Sequence, residues 1–267
     1  MGRLLFAVAA SAALIAPAAA HAAGPRAKVQ GKLDAGLREA IQQAIGETDQ
    51  PIENRFEARR RARAAAEDAI AVLRSEGYYA YEVSPEVSDE EPPRPVVEIT
   101  PGPQFHIAAP TVTWQGAAPD PDTQASARQA MDLRPGEPGR AARVVAAEGR
   151  IVAAVQKRGY ADASAQPREV IVDHADDTVR PTYRISAGQL VRLDDLDLAQ
   201  ATRTNLAWLR RLAPWASGDR YDPDKVAELE RRLLDTGVYD AVTVALAPRE
   251  KTRADGLRPV VVSLSPR

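Results

Sequence analysis

The chain has 267 residues, 45% hydrophobic and 27% charged, which is ordinary globular composition and enough for two or three small cores. A formal net charge of −2 lacks the basic excess that a phosphate backbone demands, so no nucleic-acid partner is expected. Cysteine is absent, which excludes thiol catalysis, cysteine-ligated zinc, iron–sulfur clusters and disulfides.

The first 22 residues read as a secretory signal peptide. Arg3 precedes an apolar run from Leu4 to Ala20, too short for an ordinary membrane span, and "AHA" supplies the small-x-small pattern of a cleavage site near Ala22. Removing it takes away Arg3 and moves the net charge to −3. No later segment is apolar over the length of a spanning helix. The mature chain is expected beyond the inner membrane.

Beyond the leader, one pattern recurs three times. A candidate strand at 27–31 is followed by a helix at 33–45 and a second helix striped by Phe56, Ala66, Ile70 and Leu73. That helix ends at Gly77, and "YYAYEV" begins a strand at once. A polar, turn-rich interval, "SPEVSDEEPPRP", leads to a second strand at 95–102. The next copy opens with "PQFHIAAPTVTWQG". It continues with a helix at 122–133, the loop "RPGEPG", and a helix striped by Ala141, Val144, Val145, Ile151, Val152 and Val155. Gly159 ends it, and strands at 161–172 and 181–188 follow.

The third copy opens with "QLVRLDDLDL" and a helix at 202–212. Asp222 as N-cap and Pro223 at the first helical position start a helix striped by Val226, Leu229, Leu233 and Leu234. Gly237 closes it before "YDAVTVAL" and a last strand at 259–266. Gly77 and Gly159 lie 82 residues apart, and Gly159 and Gly237 lie 78 apart, the period of a small domain rather than a solenoid turn. Each glycine stands where a helix C-cap takes a left-handed residue, and the tyrosines after it read as packing residues. Each second strand opens on a proline, a position where the missing N–H is tolerated.

The unit is therefore β-α-α-β-β, and the fold class α+β, with a three-stranded sheet covered by two helices on one face. The expected boundaries are 1–22 for the leader, then 27–102, 103–187 and 188–267. Short connections, "TPGPQ" and "SAGQ", predict stiff joints.

This unit, with its "GYY", "GY" and "GVY" elements in register, resembles the POTRA domain, the polypeptide-transport-associated module. Three in tandem after a signal peptide resemble the periplasmic region of TamA-like proteins, within the wider family of barrel assembly and two-partner secretion proteins. The stretch "LAPWASGDRYDPDKVAELERRLLDTGVYDAVTV" (212–244) is similar to the last such domain of TamA-like proteins; "RFEARRRARAAAEDAIAVLRSEGYYAYEV" and "EITPGPQFHI" resemble the first domain and its exit. Members of that family continue into a transmembrane β-barrel of alternating segments of about ten residues. Such segments do not follow "VVVSLSPR" here, so two expectations stand: a scaffold without its own barrel, or the periplasmic part of a barrel protein.

Other chemistry is sparse. The histidines are His21, His106 and His174, too few for a histidine-based site once the leader is discounted. "DHADD" (173–177) reads as a solvated hairpin connection, with no EF-hand spacing and no metal expected. No phosphate-binding loop or nucleophile elbow is present. No catalytic residue, no cofactor and no enzymatic activity are expected. "RFEARRRARA" holds Arg55, Arg59, Arg60, Arg61 and Arg63, which pair with Glu57, Glu67 and Asp68 on a solvated helix or form a patch toward anionic headgroups or an acidic partner.

The expected function is a scaffold that binds proteins by strand addition, because a sheet covered on one face leaves edges that an extended segment can join through its backbone. By the resemblance, the second strand of each unit is the edge. The candidate residues are Tyr81, Glu82 and Val83; Glu169, Val170, Ile171 and Val172; and Val242, Thr243, Val244 and Ala245. The resemblance implies unfolded outer-membrane proteins or autotransporters as clients. It also implies the inner-membrane-anchored subunit of the translocation and assembly module, and a separate β-barrel, as partners. The rival expectations are a spacer without client binding and a cell-division scaffold behind an uncleaved anchor.

Overall fold

The structure, a computed structural model, describes residues 24–200 and 204–266. The leader and its cleavage site lie outside the described residues.

In chain order the elements are β1 (Gly24–Pro25), β2 (Lys28–Gln30), α1 (Ala35–Ile45), β3 (Glu47–Thr48), α2 (Arg55–Ser75), β4 (Glu82–Val87) and β5 (Pro95–Thr100). Next come β6 (His106–Ile107), β7 (Thr111–Trp114), α3 (Pro121–Met131), α4 (Ala141–Lys157), β8 (Ser164–Asp173) and β9 (Thr178–Ser186). The last are β10 (Arg192–Leu198), α5 (Leu206–Leu212), α6 (Pro223–Asp235), β11 (Tyr239–Leu246) and β12 (Leu257–Pro266). The β-α-α-β-β order recurs along the chain in an α+β arrangement.

Two compact units form. One holds the chain up to Ile70 together with Val83–Ile99, the other Ala71–Glu82 and Thr100–Arg267. In the first, the strands run β2-β5-β4, with β2 parallel to β5, and β1 and β3 make a small antiparallel pair. Asp34 caps α1 by accepting the Leu37 N–H at 2.8 Å, and Leu37, Ile41 and Ile45 supply its buried face. Helix α2 buries alanines instead (Ala58, Ala62, Ala65, Ala66 and Ala69), whereas Phe56, expected in its apolar stripe, is exposed. Leu73 is buried with them, as expected, and Phe56 falls off that line.

In the second unit, β9 and β12 are the central strands. Strands β6 and β7 run parallel along one side of β9, with β8 antiparallel on the other. Strand β12 takes β10 in parallel and β11 antiparallel. One core gathers Phe105, Ile151, Tyr183 and Ile185, the other Leu193, Leu209, Leu229 and Val260. The Tyr183 hydroxyl donates to the Val144 carbonyl at 2.7 Å, and burial pushes its pKa up to about 12.

Several expectations need correction. The stretch read as one opening strand at 103–116 is broken into β6 and β7 around Ala108–Pro110, where Ala109 takes a φ of 42°, so this sheet counts four strands rather than three. The first strand after Gly77 starts at Glu82 and runs to Val87, so Ser84–Val87, read as turn, is strand. Pro181 and Pro259 do not begin their strands but lie inside β9 and β12. Both stand opposite an irregularity in the parallel neighbour: Pro181 faces the gap between β6 and β7, and Pro259 the register shift between Leu193 and Leu196. A missing donor is tolerated where that side of the ladder is already interrupted. Val145 and Leu234 are exposed rather than core.

Candidate functional site

The Gly-Tyr elements position the strands that follow. At Gly77 (φ 89°) and Gly159 (φ 103°) the helix closes by paired backbone bonds. Tyr78 N–H donates to the Leu73 carbonyl and Gly77 N–H to that of Arg74; Tyr160 N–H donates to Val155 and Gly159 N–H to Gln156. The same glycines make a second contact. The Gly77 carbonyl accepts the Phe105 N–H, and the Gly159 carbonyl the Val191 N–H, each at 2.8 Å. Each of these glycines thus ends a helix and also receives the chain where the next copy opens. The tyrosines pack: Tyr79 meets Phe105 edge-on at 5.3 Å, and Tyr160 and Tyr239 are buried.

The second strand of each copy lies at a sheet edge, and the three edges differ. In β4, Glu82 is exposed and Val83 half-buried, and Pro85 removes one N–H from the strand. Tyr81 is not part of the strand. It precedes β4, where the Arg74 Nε donates to its hydroxyl at 2.8 Å and the guanidinium lies over its ring at 5.6 Å.

Strand β8 is the longest of the three at ten residues. Its register shifts between Gln166 and Glu169, at Pro167 and Arg168, and from there Glu169, Val170, Ile171 and Val172 run opposite Thr182, Pro181, Arg180 and Val179. Val170 and Val172 share the helix-covered face with Val179 and Pro181. Ile171 and Glu169 point to the open face, where Glu169 pairs with Arg184 at 2.6 Å. Val170 is 39% and Ile171 51% exposed. Among the described residues, no side chain is hydrogen-bonded to the main chain of β8. The "DHADD" connection closes this hairpin: Asp173 and Asp176 both bind Arg180, and the His174 ring meets Phe105 edge-on at 5.1 Å.

In β11, Val242 and Val244 are buried while Thr243 and Ala245 are exposed. The Val244 N–H donates to Glu230 Oε2, from α6, at 2.9 Å. A carboxylate thus occupies a strand donor that β12 leaves free, so this edge carries its own cover. Nothing in the sequence spacing of Glu230 and Val244 announces that contact; it depends on how α6 crosses the sheet.

Within the second unit, the second and third copies are tied together by a buried ion pair. Arg258 is 3% exposed and grips Asp162 with its two terminal guanidinium nitrogens, at 2.8 and 2.6 Å. The hydrogen bond from Arg258 holds the Asp162 carboxyl below its ordinary value against the opposing effect of burial. Lys157 reaches Asp224 at 2.6 Å at the same joint. Sequence reading found neither pair, since 96 residues separate Asp162 from Arg258.

The arrangement is a set of helix-backed sheets, each presenting the second strand of its copy as an edge. No protein-family model and no curated protein matches the chain. Solved structures do. The POTRA3-5 region of BamA from Haemophilus influenzae is similar over 94% of this chain and 99% of that one, at 17% identity and a TM-score of 0.50. BamA from Haemophilus ducreyi lacking POTRA domains 1-3 is similar over 61% of this chain and 30% of that one, at 18% identity and a TM-score of 0.50. The fold of this chain is the POTRA fold.

Proposed function

We propose that the chain is a non-enzymatic periplasmic scaffold of three POTRA domains, at 27–102, 103–187 and 188–267, that binds extended protein segments by strand addition. Its clients are unfolded outer-membrane proteins or autotransporters. The carrying observation is the β8 edge, to whose backbone no side chain among the described residues is hydrogen-bonded and whose Val170 and Ile171 are exposed on its two faces. Backbone pairing there is insensitive to client sequence, and an alternating segment such as a barrel strand can lay its apolar face beside Val170 on one side of the sheet or beside Ile171 on the other. The β4 edge, broken by Pro85, and the β11 edge, covered by Glu230, add weaker contacts that gain from effective concentration once β8 is occupied. In this reading the chain works with a TamA-like machinery: the inner-membrane-anchored subunit of the translocation and assembly module, and a β-barrel in the same or a separate polypeptide.

Hydrogen–deuterium exchange with a synthetic peptide of alternating apolar and polar residues tests this. Slowed exchange at residues 169–173 is expected. Exchange unchanged at every edge under saturating peptide would sink client binding. It would favour the rival reading of a spacer, to which the stiff Asp162–Arg258 joint also lends itself.

A further inference from the structure

Helix α2 carries a surface that edge binding does not use. Phe56, Arg59, Arg60, Arg63 and Glu67 stand at i, i+3, i+4, i+7 and i+11, which places them on one stripe. Phe56 is 79% exposed, the most exposed large hydrophobic side chain among the described residues. With Ala64 the stripe lines a shallow groove of about 290 Å³.

The surrounding arginines are neutralised: Arg26 by Asp68, Arg55 by Asp89 and Arg61 by Glu57. Among the described residues, Arg59, Arg60 and Arg63 make no ion pair and no side-chain hydrogen bond. Three guanidiniums free of ion pairs, with the Glu67 carboxylate in the same groove and Glu57 near enough to Arg60 to feel its charge, thus stand around a protruding aromatic ring, on a chain whose net charge is negative.

We infer that this stripe docks on an anionic phospholipid surface, with Arg59, Arg60 and Arg63 at the headgroup phosphates and Phe56 in the boundary between headgroups and acyl chains. An acidic peptide would neutralise the arginines but gives the ring no apolar environment. A lipid interface meets both needs, since aromatic rings settle at headgroup depth and arginine stems lie along the apolar boundary with their charge outward. The inference stands independently of strand addition.

The test is co-sedimentation of the full chain with phosphatidylcholine vesicles, with and without phosphatidylglycerol, at low and high salt. The apolar Leu4–Ala20 segment is common to every chain compared, so the readout is the preference for the anionic vesicle. Each arginine near such a surface contributes about fivefold. Replacing Arg59, Arg60 and Arg63 together with alanine should lower that preference on the order of 100-fold, and the triple lysine variant should retain it. Phe56→Ala should weaken binding to anionic vesicles about tenfold. All four positions are exposed and alanine favours helix, so matched circular dichroism spectra are expected. Equal binding of the wild-type chain to both vesicle types would overturn the inference. So would an alanine triple variant that binds like wild type. Capture of a polyglutamate peptide, unaffected by Phe56→Ala and without anionic-vesicle preference, would also overturn it, in favour of an acidic protein partner.

Discussion

Glu230 and Asp162 show how single carboxylates define the edges and the joint. The Glu230 carboxylate accepts the outward N–H of Val244, a charge-assisted bond worth about 1.5–3 kcal/mol. In Glu230→Ala the Val244 amide should exchange with solvent about 10- to 100-fold faster, with neighbouring amides little changed. Uniform acceleration across β11 would instead mean that the strand itself has loosened. The Asp162–Arg258 pair carries a pH dependence of known sign. The folded-state pKa of Asp162 lies below its ordinary value of 3.8, so its contribution is present above that pH and is lost as pH falls through the lowered value. Asp162→Asn leaves the buried Arg258 guanidinium uncompensated and should cost about 2–3 kcal/mol at neutral pH, the low end of the buried-pair range because the carboxylate side chain is 21% exposed. The variant should also lose the Asp162 contribution to the fall in stability expected of the wild-type chain below pH 3.8, read by chemical denaturation at several pH values.

At the scale of elements, the glycines that end α4 and α6 are not equivalent. A Cβ on Gly159 would lie 2.7 Å from Leu190 Cδ1, at a φ of 103°. A Cβ on Gly237 would meet nothing, at a φ of 68°. Gly237→Ala should therefore cost about 1 kcal/mol, from the left-handed backbone alone. Gly159→Ala should cost about 2–3 kcal/mol, because Leu190 must shift as well. Thermal unfolding of the two variants gives the comparison, and equal losses would show that the Leu190 contact yields freely. Strand ends follow the same logic of context. Pro181 and Pro259 occupy central strands because the parallel side is broken opposite them, between β6 and β7 for Pro181 and within β10 for Pro259, a circumstance that local sequence rules cannot see.

For the molecule as a whole, the chain divides into two compact units of unequal size, the larger holding both the β8 and β11 edges and the Asp162–Arg258 joint. Calorimetry of the wild-type chain should resolve two transitions, with Asp162→Asn shifting only the one that belongs to the larger unit, residues 71–82 and 100–267. A single transition displaced as a whole would show that the units unfold together.

The repeat, its period, the α+β class and the approximate helix positions were legible in the sequence because they rest on local chemistry: Asp222 as N-cap, Gly77 and Gly159 as C-caps, and apolar residues at helical spacing in α6. Which strands lie at the edges was an expectation carried by resemblance, since strand order is a long-range property. Tertiary structure alone decided that Tyr81 stands outside its strand, that Phe56 faces solvent while alanines line the buried side of α2, and that Glu230 covers one edge while β8 stays bare. The physical reason is the same in each case. Caps and turns here involve residues two to five apart, whereas burial and edge exposure depend on partners farther along the chain, such as the 14 residues separating Glu230 from Val244 or the 96 separating Asp162 from Arg258.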